Sequence, residues 1–259
     1  MVDAFNLSVM KPILPLVLQG SSALTNFTFM AADPQPGVKS TFSGVGYVIV
    51  DLGANTTIQQ VFVGYTTGTS LGQVRARAST TNDGVTAAVF DMTYGGAVPE
   101  FGGRPSGYRH YLFTAAAPVT ARYVRVDFSV GMDVGILAIG PVIQPQFNAD
   151  YGETSWGYEE ADGPDLLDSG VEVLYDTPAA PYLKFQLGWV TEAEMKADWE
   201  PLGRLQHEGT PVVVCRDPTQ PPLGGYGHNA TYYGRLRMTP IIAADFDMYE
   251  VQGQIRSMV

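Results

Sequence analysis

No helical period of useful length runs through the first 190 residues of this chain, and that absence most constrains its fold. Short β-branched or alternating runs stand in its place. Tyr47-Val-Ile-Val-Asp-Leu-Gly53 is apolar and ends in a turn, and Ile58-Gln-Gln-Val-Phe-Val-Gly-Tyr65 is a second strand candidate. Val74-Arg-Ala-Arg-Ala-Ser79 alternates small or apolar residues with basic ones, as a half-exposed strand does. Asn82-Asp83-Gly84 marks a tight turn, because Asp and Gly tolerate positive φ. Tyr108 to Phe113 and Ala121 to Phe128 continue a series at sandwich-like spacing. The 29 glycines and 18 prolines supply the turns that short strands require. With 45% apolar residues the chain has enough material for a packed core.

Character changes after residue 140. Gly140-Pro141 and Gln144-Pro145 punctuate the chain, and residues 150–176 then carry nine acids with no Lys or Arg. Residues 1–145 hold eight acids against eight bases, so the net charge of −11 comes wholly from eighteen acids against seven bases in 146–259. The asymmetry predicts three segments: a first domain over 1–145, an acidic connector over 146–180, and a second module over 181–259. It argues against nucleic acid as a partner of the second half, since phosphate attracts the opposite sign. The second module reads as strand, helix, strand, strand. Leu183 to Trp189 alternates, and Thr191-Glu-Ala-Glu194 is a capping box. A helix is predicted to about residue 199, resuming with Pro201 in a first turn. Pro211-Val-Val-Val-Cys215 is a buried strand, and Tyr232 to Arg237 and Met248 to Ile255 are closing strands.

Catalytic and metal chemistry find little footing. Gly68-Thr-Ser-Leu-Gly72 matches a nucleophile-elbow pattern, but that motif needs a helix after Ser70 and a strand candidate follows instead. His110, His207 and His228 stand in no recognisable relation to Ser70, and His110 reads as a core-edge or surface residue. There is no Cys pair, no His-x-x-x-His and no EF-hand spacing in the acidic tract. Gly224-Gly-Tyr-Gly227 lacks the Lys-Ser/Thr of a phosphate loop. Cys215 reads as a buried small hydrophobe. The expectation is a protein that is not an enzyme and takes neither cofactor nor metal. No apolar run approaches the length of a membrane span, so membrane insertion is not expected, and no signal peptide is read. Sugar binding would need exposed aromatics beside polar groups. The candidate loops, residues 25–42 and 94–109, contain Phe27, Phe29, Phe42, Tyr94, Phe101, Arg104 and Tyr108.

In order, Tyr47 to Gly53, Ile58 to Gly64, Val74 to Ser79 with Asn82-Asp83-Gly84, and Ala121-Arg-Tyr-Val-Arg-Val126 resemble a discoidin-like (galactose-binding-like) domain. The resemblance implies an N-terminal jelly-roll β-sandwich, here without the family's usual bracketing cysteines. Further on, Ile139-Gly-Pro141, Gln144-Pro145, Asn148-Ala-Asp-Tyr-Gly152 and Trp156 resemble the junction in minor tail proteins of tailed phages. Gly209 to Pro218 and Tyr233-Gly-Arg-Leu236 are similar to a distal-tail-type β-sandwich module with one helix. That resemblance implies a structural component of a phage tail tip or baseplate, assembled in the host cytoplasm and carried in the virion. Its partners would be other tail and baseplate proteins, copies of itself in a homo-oligomeric ring, and host cell-surface glycan. The alternative is a stand-alone carbohydrate-binding module.

Overall fold

The structure, a computed structural model, describes residues 7–13, 17–20, 24–25, 39–67, 72–94, 109–147, 149, 153–159, 165–166, 172–173, 180–217, 231–239, 242–245 and 247–258. It is mostly β, the class expected from the sequence, and the strand pairs whose register is described are antiparallel. In chain order the first strands are β1 (Ser8–Met10), β2 (Val17–Gly20), β3 (Leu24–Thr25), β4 (Ser40–Phe42), β5 (Gly46–Thr66) and β6 (Val74–Ser79). Then come β7 (Phe90–Tyr94), β8 (Arg109–Phe128), β9 (Met132–Val134), β10 (Ile136–Gly140), β11 (Val142–Ile143) and β12 (Ser155–Glu159). The rest are β13 (Asp165–Leu166), β14 (Glu172–Val173), β15 (Ala180–Thr191), β16 (Val212–Cys215), β17 (Thr231–Met238), β18 (Ile242–Asp245) and β19 (Met248–Ser257), with one helix between β15 and β16.

Two compact units result: Met1–Asn148 with Pro211–Thr231, and Ala149–Thr210 with Tyr232–Val259. The stretch 211–231, expected inside the second module, therefore belongs to the first unit. All four residues of β16 are buried, and Val213, Val214 and Cys215 sit opposite Met10, Val9 and Ser8 of β1. A strand apolar on both faces is stable only where both faces are covered. The predicted connector is not wholly a connector either, because β12 lies within it and pairs with β15.

In the first unit a six-stranded sheet, β10-β5-β8-β6-β7 with β2 on β5, faces a three-stranded sheet, β3-β4-β9. Their inward side chains alternate along each strand and form one core, consistent with a discoidin-like sandwich. Val48, Val50, Ala76, Val124 and Val126 line it from the large sheet, and Phe42, Met132 and Val134 from the small one. Phe42 and Phe128 meet with ring centroids 4.2 Å apart.

The segments 47–53 and 58–65, expected as separate strands, are parts of β5, and 109–113 and 121–128 are parts of β8. The register between β5 and β8 shifts between Asp51 and Thr56, between Ile58 and Gln60, and between Val63 and Thr66. Such bulges let one long strand bend while staying paired. Gly53, at φ +80°, and its N–H bond to Asp51 Oδ1 at 2.8 Å mark the first excursion.

The second unit has the order β17-β19-β15-β12, with β18 on β19. Leu183, Phe185, Leu187, Leu236, Val251 and Ile255 are its buried face. Thr191 caps the helix as predicted, its Oγ1 accepting the Glu194 N–H at 3.3 Å. The helix does not stop near residue 199. It runs from Glu192–Glu194 through a π-helical turn, Met195–Trp199, into Glu200–Glu208. The Glu200 N–H bonds Met195 O, five residues back. That widened turn precedes Pro201, which has no N–H to offer and whose ring would crowd a regular turn. Trp199, Leu202 and Leu205 are buried, and Trp199 meets Phe185 at 6.3 Å.

Candidate functional site

Strand alternation sends every second residue of β5, β8, β6 and β7 away from the core. Register aligns two outward rows: Tyr47, Asp127, Arg75 and Thr93, and beside them Ile49, Arg125, Arg77 and Asp91. The charges interlock. Arg75 grips Asp91 in a bidentate pair, Nε to Oδ1 at 2.7 Å and Nη2 to Oδ2 at 2.5 Å. Asp127 accepts from Arg77 Nη2 at 2.6 Å and from Arg125 Nε at 2.8 Å. The Arg125 guanidinium lies 3.8 Å over the Tyr47 ring.

These residues border a groove of ≈ 510 Å³, lined among others by Val45, Tyr47, Gln73, Arg75, Arg125 and Ser129. Val45 is 77% exposed at its rim, an apolar side chain held out beside the charged floor. The floor is rigid. Arg77, Arg125 and Asp127 keep only 12%, 21% and 25% side-chain exposure, which weakens solvent screening of their pairs. Arg125 spends only its Nε on Asp127, so its terminal nitrogens are donors without a protein partner among the described residues. Arg77 Nε is also buried without a hydrogen-bond partner.

Acid–base catalysis is a poor match to these carboxylates. The hydrogen-bonded Arg75 guanidinium holds Asp91 below the usual carboxylate range, opposite to the shift a general acid needs. Asp127 is already engaged by two guanidinium groups. Burial pushes the Cys215 thiol up to about 11 and closes it from solvent. His110, expected at a core edge or surface, is fully buried between Phe62 and Tyr65 at 5.2 and 4.7 Å. Among the described residues no cluster of three His, Cys, Asp or Glu could hold a metal ion, and no helix is long and apolar enough to cross a membrane. Ser70 lies outside the described residues, with β5 before it and β6, a strand rather than a helix, after it.

Two of the predicted sugar-contacting aromatics are placed elsewhere. Phe42 is 1% exposed and belongs to the core. Tyr94 is half-buried, stacks on Phe113 at 4.5 Å and donates its hydroxyl to Leu112 O at 2.7 Å. Burial pushes that hydroxyl up to about 12. Phe27, Phe29, Phe101, Arg104 and Tyr108 lie outside the described residues, as do Gly224 to Gly227 and His228. The groove's own residues were visible in the sequence only as the basic half of Val74 to Ser79 and as Arg125 and Asp127 beside it. What joins them to Tyr47 is the register of three strands distant in sequence.

No protein-family model and no curated protein matches the chain. Among solved structures, a fucose-binding module of Streptococcus pneumoniae is similar over 51% of this chain and 95% of its own, with 13% identity and TM-score 0.39. The CBM32 module of AlyQ, in complex with 4,5-unsaturated mannuronic acid, matches over 51% and 96%, with 16% identity and TM-score 0.36. SpGH29 matches over 51% of this chain but only 28% of its own length, with 14% identity and TM-score 0.35. Likeness this distant carries no information about what this chain binds.

Proposed function

We propose that the first unit is a saccharide-binding module and that the chain acts by binding, without a catalytic step. One observation carries the reading: Arg125, held by Asp127 and stacked on Tyr47, presents unused donors in an open groove. Fixed guanidinium donors suit the hydroxyl and carboxylate oxygens of a sugar, and Val45 and the Tyr47 edge offer apolar surface for its C–H faces. A glycan array probed with the full chain tests this. The array should include neutral and uronic acid-containing saccharides, since guanidinium donors accept both hydroxyl and carboxylate oxygens as partners. A hit that Arg125→Ala abolishes is the expected result. No hit, or a hit indifferent to Arg125, removes the proposal.

A wider role in assembly is favoured by a separate observation in the second unit: Lys184, Arg235, Arg237 and Arg256 are exposed on one sheet face and make no salt bridge among the described residues. On this reading the chain is a structural part of a phage tail tip or baseplate, its second unit meeting protein neighbours and its first reaching host glycan. Immunogold labelling of purified virions tests it. Decoration of the tail end is expected, and particles never decorated there exclude it.

A further inference from the structure

The groove of the first unit has its carboxylates occupied and its charged donors open. Three guanidinium groups, Arg75, Arg77 and Arg125, are hydrogen-bonded to two carboxylates, Asp91 and Asp127. Arg75 takes both oxygens of Asp91, and each oxygen of Asp127 already accepts from a guanidinium. Arg77 and Arg125 stand directly opposite each other on β6 and β8, so two like charges share the one carboxylate of Asp127. Within this set one positive charge is left over. Asp83, beside the Gly84 that abuts Arg125, gives its carboxylate to the Val85 and Thr86 N–H groups and the Thr86 hydroxyl. The first unit is neutral in total, since Arg216 and Asp217 join the eight acids and eight bases of residues 1–145. Its own charge therefore does not oppose an anion.

The open donors have a fixed direction. Arg125 commits Nε to Asp127 at 2.8 Å, and its guanidinium carbon lies 3.8 Å from the centre of the Tyr47 ring. One edge and one face are thus held, and both terminal nitrogens are left for a ligand. Ser129 adds a donor, because its Oγ accepts the Gln73 N–H at 2.7 Å and its own O–H remains to give. The uncharged acceptors of the lining, Gln73 and Thr93, are exposed to water. A sugar hydroxyl both donates and accepts, whereas a carboxylate only accepts. Its two oxygens match the two terminal nitrogens of a guanidinium in one plane.

Resting on the saccharide-binding reading above, we propose that the groove takes an acidic saccharide, a uronic acid unit whose carboxylate pairs with the terminal nitrogens of Arg125. A sulfate ester carries accepting oxygens and charge as well, so the test separates the two sources. Calorimetric titration of the full chain with short oligomers of galacturonate, mannuronate and glucuronate, each beside its carboxyl-reduced neutral form, needs no altered protein. At least one uronate oligomer should bind about tenfold or more tightly than its reduced form. Sulfated oligomers of the same neutral backbone should bind more weakly than that uronate. Arg125→Lys, which keeps the charge without the planar fork, should erase most of the margin with an unchanged circular dichroism spectrum. Equal or tighter binding of the reduced forms, lost in Arg125→Ala, overturns the acidic assignment and leaves the saccharide reading standing. A margin that Arg125→Lys retains, or sulfated oligomers bound as tightly as uronates, shows general anion attraction and also overturns it. Binding of none of the oligomers overturns it too, and the glycan array then decides the saccharide reading by itself.

Discussion

Asp127 has two guanidinium partners, so its loss strands both Arg77 and Arg125 in partly buried positions. Asp127→Asn is expected to destabilise the first unit by about 1–2 kcal/mol, less than for a fully buried pair because a quarter of the side chain meets water. Urea unfolding measures this, and Asp91→Asn, whose pair with Arg75 is exposed, should leave the midpoint nearly unchanged. Cys215 supplies a pH signature. Its thiol ordinarily titrates near 9.0 and burial raises it to about 11, so the folded chain holds that proton more tightly than the unfolded one. Stability is thus full below pH 9 and falls as pH rises towards 11. The decline between pH 9 and 10 should flatten in Cys215→Ala; above pH 10 Tyr94 adds a decline of the same sign.

At the scale of elements, much of the strand pattern was legible because alternation and turn residues are local signals. The Asn82-Asp83-Gly84 turn forms as read, with Asp83 Oδ1 accepting the Val85 and Thr86 N–H groups at 2.8 and 2.9 Å. Gly84 has φ +66°, and a Cβ there would lie 2.8 Å from Arg125 Cβ. Gly84→Ala should therefore cost about 1–3 kcal/mol by denaturant titration, through strain and collision together. Thr191→Ala should cost about 1 kcal/mol in the second unit, and Thr191→Ser should retain most of the cap.

What local reading missed was set by distant partners. Asp51-Leu-Gly53 looks like a strand end, yet β8 supports β5 across the bulge, and Arg122 clamps Asp51 at 2.8 and 3.0 Å. The helix passes Pro201 because one π turn absorbs the misfit. Phe42 looked like loop surface because nothing near it in sequence reveals that Phe128 covers its ring. Arg75 and Arg77 were legible as the basic half of an alternating strand, and Arg125 and Asp127 only as members of a strand candidate. Their convergence with Tyr47 was not, since it depends on which strands pair and in what register.

For the whole molecule, charge predicted two modules, but the chain path is less simple than the charge boundary. The return of β16 to β1 makes residues 1–145 an incomplete unit. A 1–145 fragment is expected to show broadened, poorly dispersed amide resonances or to aggregate, because the buried Val9 and Met10 lose their β16 neighbours. A fragment as well dispersed as the full chain would contradict that division. Within the acidic unit, Lys184, Arg235, Arg237 and Arg256 share one sheet face and make no salt bridge among the described residues. The proposed saccharide groove of the first unit shares no residue with that face, so substitutions at one should leave the other unchanged.

Calorimetric titration of the full chain with its array-identified saccharide is the most direct test of the central claim. Arg125→Ala should weaken affinity by at least about tenfold, while Arg237→Ala, on the other unit, should leave it unchanged. Equal affinity of the wild type and Arg125→Ala would contradict the assignment of the groove.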